Sequence, residues 1–266
     1  MPLQVKIIVT VKQVPDPTGQ LALESDFTIK RSGEVALDPA DECGVEMGLR
    51  LVEAHGGEVV LVAMGPVQAR EAIRRGLSMG AARAILISDP ELAGADALQT
   101  AKLLGAAIST EQPDLVICGT ESYDGSTGLV PPMLAELLHL PVLSQIKQLE
   151  VRLEGDDGVV TAHRQTADGW QVMRSSTPCL VSVTAGIAEP RYASLRGIMT
   201  ARSKEVRELT RVELGVELGQ TVETIERIES VEQQRVGVVV EDDGHSGVER
   251  ICQALSEAGV LPGGER

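Results

Sequence analysis

Aromatic side chains are almost missing from this chain. Trp170, Phe27, Tyr123 and Tyr192 are all it has, 2% of 266 residues, so its core must be built from Val, Leu, Ile, Ala and Met. Without a series of ring faces there is no stacking platform for single-stranded nucleic acid. Positive charge is scarce too, since 24 Lys and Arg against 39 Asp and Glu leave a net charge of −15. Such a field repels phosphate backbones and anionic membrane surfaces alike, which argues against nucleic acid as a partner. No uninterrupted apolar run is long enough to span a bilayer. Met1-Pro2-Leu3 leads directly into strand-like sequence without a charged and then apolar leader. No membrane insertion is expected, and the expected location is cytoplasmic.

Cysteine is sparse and dispersed. Cys43, Cys118, Cys179 and Cys252 lie far apart and form no C-x-x-C, so neither a disulfide framework nor a zinc motif is indicated and a reducing compartment fits. Motifs of the common enzymes are absent as well: no G-x-G-x-x-G after the first strand, no Walker A, no G-x-S-x-G elbow, no H-E-x-x-H. His55, His139, His163 and His245 are scattered and read as surface or cap residues. Asp16, Asp38, Asp41, Glu42 and Asp124 all follow strands. They either gather at the carboxyl edge of a sheet or serve as caps and turn residues, and the sequence leaves both open. No nucleophile stands beside a base, so no hydrolase or transferase pair can be named.

What the chain does have is a regular alternation of apolar runs and helical patterns. Hydrophobic residues make up 43%, enough for one large α/β domain with a substantial core. Val5 to Val11 is β-branched and continuous, the pattern of a strand buried on both faces. A long connection follows, in which Phe27-Thr28-Ile29 and Ser32-Gly33-Glu34 suit a small hairpin. Asp38-Pro39 opens a helix to about Ala54, with Asp38 as N-cap and Pro39 in the first turn. Strands at Val59 to Ala63, Ala84 to Ile87 and Leu115 to Cys118 then alternate with helices at Val67 to Met79, ended by Gly80, and Asp96 to Thr110. Four rounds of strand then helix, with right-handed crossovers, predict a doubly wound parallel sheet.

The chain is organised around Asp114 to Leu138, DLVICGTESYDGSTGLVPPMLAELL. An apolar strand stops, a loop with Gly119, Gly125 and Gly128 follows, and Pro131 and Pro132 suit the first turn of a helix. Backbone amides of the loop and first turn would then face the crevice beyond the strand's carboxyl end, a phosphate site in outline. An ordinary strand-to-helix connection with tight turns accounts for the same residues. After Leu140 the period becomes two: Leu149 to Leu153, Val159 to Arg164 and Gly169 to Arg174 read as antiparallel strands about a turn at 155–158. Pro178 to Val183 returns to the main sheet. Beyond Lys204 the strand signal fades apart from Val236 to Val240, and a short helix is expected at Val248 to Ala258.

At Ala188 to Lys204, AEPRYASLRGIMTARSK, the sequence closely resembles the E-P-R-Y-x-x-L-x-x-I-M segment of the β subunit of electron transfer flavoproteins. Other segments agree in the same order, among them Val11-Lys12-Gln13-Val14-Pro15-Asp16, Asp38-Pro39, Gly65-Pro66, Leu77-Ser78-Met79-Gly80-Ala81 and the Asp124-Gly125 loop. The resemblance covers almost the whole chain. It implies an α/β domain like the adenine nucleotide alpha hydrolases, carrying a small antiparallel addition and an extended C-terminal arm. Residues 1–205 would form the nucleotide-binding domain, including antiparallel strands 146–175 and a partner-recognition loop at 188–200. Residues 206–266 would be an arm packing on an α subunit.

The same resemblance implies an electron carrier rather than an enzyme, a heterodimer with FAD at the junction with its α subunit and AMP in this subunit. It would take electrons from flavin dehydrogenases, as in fatty acid oxidation, and pass them to a quinone reductase. By position, nucleotide contacts fall on Thr10, Asp38, Pro39, Ala40, Asp41, Met64, Gly119, Asp124, Gly125, Ser126, Thr127, Gly128, Leu129 and Val130. Partner contacts fall on Glu189, Pro190, Arg191, Tyr192, Leu195, Ile198 and Met199, with Leu195 as the anchor. The chain departs from the commoner family loop, which has polar side chains at Gly128 and Leu129 and glycine at Pro131, and some relatives carry tyrosine at Pro17. A bifurcating relative with a second FAD in the AMP place, and a stand-alone nucleotide-binding regulator or enzyme, are the alternatives.

Overall fold

A computed structural model describes residues 5–19, 21–25, 28–154, 157–229, 239, 244 and 246–260. Phe27, the turn residues 155 and 156, and the strand expected at Val236 to Val240 apart from Val239 lie outside them. Contacts divide the chain into two compact units, Met1–Ile228 and Glu229–Arg266.

The first unit is built on β1 (Val5–Thr10), β2 (Gln13–Pro15), β3 (Val35–Leu37), α1 (Pro39–His55), β4 (Gly57–Met64), α2 (Arg70–Met79), β5 (Arg83–Ile87), α3 (Ala97–Ser109), β6 (Leu115–Gly119) and α4 (Val130–Leu137). Then come β7 (Val142–Glu154), β8 (Asp157–Thr166), β9 (Gly169–Ser176), β10 (Cys179–Val183), α5 (Leu195–Ala201) and β11 (Val206–Leu209). Nine strands form one sheet in the order β11-β5-β4-β1-β6-β10-β7-β8-β9. β11 to β7 run parallel, and β8 and β9 continue antiparallel. This is the doubly wound α/β fold that the alternating pattern predicts.

The central strands read as unbroken apolar runs because helices cover both faces. Ile7, Val9, Leu61, Ile117 and Val181 join a core with Val45 and Leu49 of α1 and Ile73 and Leu77 of α2. Ile8, Val60, Val62, Val116 and Leu180 join a second core with Leu103 and Ile108 of α3 and Leu134 of α4. Each fully buried side chain of this size contributes about 1.5–3 kcal/mol. Helix starts follow the caps read from sequence: Asp38 accepts from Ala40 N (2.9 Å) and Asp96 from Gln99 N (2.8 Å).

Three features depart from the sequence reading. The long connection between β1 and α1 pairs β2 with β3, antiparallel, at Val14↔Ala36, and a bridge at Leu23↔Ile29 lies inside it. Among the described residues, Thr28 and Ile29 are not paired with 32–34, and Ile29 bridges Leu23 instead. The antiparallel strands are continuous with the main sheet, since the first part of β7 pairs parallel with β10 and the rest antiparallel with β8. Finally, β11 lies beyond Lys204 and is the edge strand beside β5. Only Leu209 of its four residues is buried, which explains why Val206-Arg207-Glu208-Leu209 gives no strand signal. The arm expected from residue 206 therefore opens with a strand of the sheet. Leu214, Val216 and Leu218 then pack on the second core, and Asp96 holds Val222 N at 2.7 Å.

In the second unit, α6 (Ser246–Glu257) matches the short helix expected near the end. Val248 and Ile251 are exposed, as is Leu255 one turn further on. Among the described residues no helix is long and apolar enough to cross a membrane.

Candidate functional site

Because β1, β4 and β6 are parallel neighbours, their carboxyl ends open on one edge of the sheet. Thr10, Met64 and Gly119 end these strands. The crevice outside such an edge is where open α/β sheets take ligands. Here its walls are the start of α1 and the loop 119–129.

Two buried aspartates in the first turn of α1 hold the walls together. Asp41 Oδ2 accepts from Lys12 N (2.8 Å) just after β1, and Oδ1 accepts from Gly119 N (3.1 Å) at the end of β6. Asp38 caps α1 with Oδ1 and accepts from Tyr123 N with Oδ2 at 2.7 Å. Burial pushes the Asp41 carboxyl well above the usual carboxylate range, and repulsion from Asp38 adds to this, while the Lys12 and Gly119 amides pull the other way. Such close approach needs glycine at 119, where a Cβ would stand 2.6 Å from Asp41 Oδ1 and 3.3 Å from Ala40 Cβ. Below, Thr10 is buried, and burial pushes the Cys118 thiol up to about 12.

The third acid, Asp124, anchors the loop. Its side chain is buried, and it receives Lys12 Nζ at 2.6 Å on Oδ1 and Arg31 Nη2 at 2.9 Å on Oδ2. Lys12 Nζ also donates to Ser122 Oγ (3.1 Å). Burial opposes the ionised form of Asp124, but the Lys12 and Arg31 charges outweigh it and hold the carboxyl below the usual range. A carboxyl depressed in the fold adds stability that is present above the unfolded pKa and lost as pH falls through the folded one. Asp124→Asn should therefore cost about 2 kcal/mol at neutral pH, and the gap from wild type should close as pH drops below about 4. Thermal melts from pH 7 down to about pH 2.5 check this; a gap that stays constant over that whole range would show that the ion pairs contribute nothing.

Ser126 and Gly128 take positive φ, 48° and 63°, turning the chain sharply into α4. Ser126 N returns to Ser122 O and Gly125 N to Ser122 Oγ. Among the described residues the amides of Thr127, Gly128 and Val130 have no protein acceptor. The first turn of α4 supplies less than the sequence reading asks of it. Pro131 and Pro132 carry no N–H, and Met133 N goes to Leu129 O. Free donors thus concentrate in the loop, beside the exposed Thr127 hydroxyl and half-exposed Leu129. This set suits an anion such as a nucleotide phosphate.

Of the other acids grouped by sequence, Asp16 binds Thr18 and Glu42 pairs with Arg75. Neither joins the crevice. Among the described residues no cluster of His, Cys, Asp and Glu could hold a metal ion. Pro39 and Ala40 are half-buried at the helix start, as is Met64 at the end of β4.

The second group, 189–199, is separate from the crevice in the chain. Leu195 is 75% exposed, Met199 67%, Ile198 50% and Tyr192 94%. Leu195, Ile198 and Met199 stand at i, i+3 and i+4 on α5, so they share one face. Leu195 therefore does not pack into its own domain. α5 is mounted firmly: Ser194 Oγ accepts from Gly197 N (3.0 Å), and Lys204 Nζ caps the end of α2 at Leu77 O (2.9 Å) and Ala81 O. Lys204 is thus spent on α2. Arg211 pairs with Asp89 and Glu91. Arg202 and Arg207 stay exposed.

Fold and loop together define a doubly wound α/β protein with unpaired loop amides at the carboxyl edge of its sheet. Comparison with known proteins narrows the class. Residues 26–214 match the family model described as Electron transfer flavoprotein domain. The Electron transfer flavoprotein subunit beta of Mycobacterium leprae is 40% identical over 220 residues, 80% of this chain and 81% of the relative. That of Bradyrhizobium diazoefficiens is 36% identical over 259 residues, 96% of this chain and 100% of the relative. The Acryloyl-CoA reductase electron transfer subunit gamma of Anaerotignum propionicum is 35% identical over 204 residues, 75% of each chain. The chain belongs to the electron transfer flavoprotein beta subunit family.

Proposed function

We propose that this protein is the β subunit of a heterodimeric electron carrier, holding AMP in the crevice and bracing FAD at a junction with an α subunit. The observation that carries the reading is the crevice itself, where unpaired loop amides stand at a sheet edge fixed by two buried aspartates. Thr127, Gly128 and Val130 would hold a phosphate through their amides, with Ser126 and Thr127 adding hydroxyls. Asp38 and Asp41 act through the backbone, fixing Tyr123, Gly119 and Lys12 around the ligand. FAD, when bound, supplies the redox chemistry. This chain would exclude water from one side of the flavin and present α5 to flavin dehydrogenases, whose electrons would pass on to a quinone reductase. An arm beyond 206 would pack on the α subunit.

Docking through Leu195 suits transient exchange. Burying one such side chain is worth roughly 1.5–3 kcal/mol, enough to guide a complex yet too little to lock it.

Co-expression with an α subunit should give a one-to-one complex with flavin absorbance, whereas the chain expressed alone should be colourless. Nucleotides released from the complex and separated by chromatography should count one FAD and one AMP. Two FADs would replace the AMP assignment by that of a bifurcating carrier. Tight flavin on the single chain, or nucleotide turnover by it, would overturn the heterodimer reading.

A further inference from the structure

The segment between β10 and α5 has no regular structure, yet its course is fixed. Side chains from one face of α1 hold it: Cys43, Glu46, Arg50 and Glu53, at i, i+3, i+7 and i+10. Gly186 N meets Cys43 Sγ at 3.4 Å, and Arg50 Nη2 donates to Glu189 O at 3.1 Å. Arg191 is the centre of the arrangement. Its Nε and Nη2 donate to Glu46 at 2.7 and 3.2 Å, its backbone N adds a third bond to Glu46 at 3.2 Å, and its Nη1 and Nη2 reach Glu53. Glu46 is buried, with a side chain 3% exposed, and also accepts Arg50 Nε at 2.7 Å. Burial opposes its ionised form, but the Arg191 and Arg50 hydrogen bonds outweigh that and keep the carboxyl below the usual range.

A guanidinium engaged by two carboxylates in forked geometry is not a free surface charge. Sequence reading counts Arg191 among partner contacts, yet its donors are used inside the domain. Four residues further on stands Leu195, exposed at the start of α5.

We propose that Arg191 is a positioning residue: locked onto Glu46 and Glu53 of α1, it fixes the path of residues 188–194 and so sets where Leu195, Ile198 and Met199 are presented to a protein partner. The inference rests on reading those three residues as the docking face. Arg191 acts through them and makes no contact of its own with the partner.

A double-mutant cycle in the holo complex tests it, using a flavin dehydrogenase that reduces the wild-type complex as donor. Leu195→Ala should lower kcat/KM by about tenfold or more. Arg191→Ala should lower it about tenfold, chiefly by raising KM for the carrier. In the Leu195→Ala background Arg191→Ala should cost less than about twofold, because the misplaced group is already gone. Arg191→Lys should recover little, since a lysine cannot make both forks. Glu53→Gln, which removes only the outer partner and leaves the buried one, should give a smaller loss in the same direction and serves if Arg191→Ala does not fold. FAD content should stay at wild-type level throughout.

Full additivity of Arg191→Ala and Leu195→Ala would overturn the proposal and make Arg191 an independent contact. Loss of FAD in parallel with activity would overturn it too, placing the residue in the fold alone. No effect of Leu195→Ala would instead sink the docking reading beneath it.

Discussion

Gly119→Ala should empty the crevice. A methyl group there would lie 2.6 Å from Asp41 Oδ1, and that carboxyl has nowhere to go. Asp41 is buried and bound at both oxygens, to Lys12 N and to Gly119 N. Relief requires either the carboxyl to turn, orphaning two amides, or the start of α1 to back away from the end of β6. Overpacking of this kind costs about 1–3 kcal/mol, and each orphaned buried amide a further ~1–3 kcal/mol. In a domain of this size the loss should lower Tm by roughly 5–10 °C. The crevice walls separate at the same time so, on the function proposed above, AMP recovered from the complex should fall by an order of magnitude or more. Nucleotide analysis and calorimetry of the purified heterodimer would check both. Full nucleotide content with an unchanged melt would mean that Asp41 does not set the width of the crevice.

Gly197→Ala should strike the other site. Gly197 lies on α5 where it crosses the end of α2, and a Cβ there would overlap the backbone carbonyl of Ser78. The obstacle is main chain, immobilised further by Lys204 at the carbonyls of Leu77 and Ala81. α5 must therefore lift, carrying Leu195, Ile198 and Met199 with it. Electron transfer from a dehydrogenase should drop about tenfold or more, as displacements near 1 Å cost up to ~100-fold in comparable sites. FAD and AMP should both remain, because α5 takes no part in the crevice. Stopped-flow reduction of the complex beside a nucleotide count separates the outcomes. If reduction keeps its wild-type rate, the face of α5 does not need its present position.

The alternation of strands and helices was legible because burial on both faces leaves continuous apolar runs, as in Val5 to Val11 and Leu115 to Cys118. Helix starts were legible because Asp38 and Asp96 act within three residues of themselves. What stayed hidden depends on partners distant in the chain. β11 sets two adjacent charged residues, Arg207 and Glu208, before its one buried leucine, and only its neighbour β5 makes it a strand. The pairing of Val14 with Ala36 spans a connection whose turns are ordinary. Glycines and strand ends pointed to the loop in which the structure leaves the amides of Thr127, Gly128 and Val130 without a protein acceptor. The sequence could not show that Asp124 would be neutralised by Lys12 from just after β1 and by Arg31 from the long connection. Nor could it show that Arg191 faces inward, since a charge beside an exposed leucine reads the same whether it is free or bound. The spacing of Glu46, Arg50 and Glu53 along one side of a helix was the available signal.

One helix serves both ends of the molecule's business. α1 begins with the two aspartates that set the crevice and carries, further along, the carboxylates that grip Arg191. A helix behaves as a stiff rod over this length, so a tilt at its first turn is delivered three turns later as a sideways step. A change that tilts the start of α1 is therefore expected to shift Glu46 and Glu53, and with them the backbone at Arg191 that leads into α5.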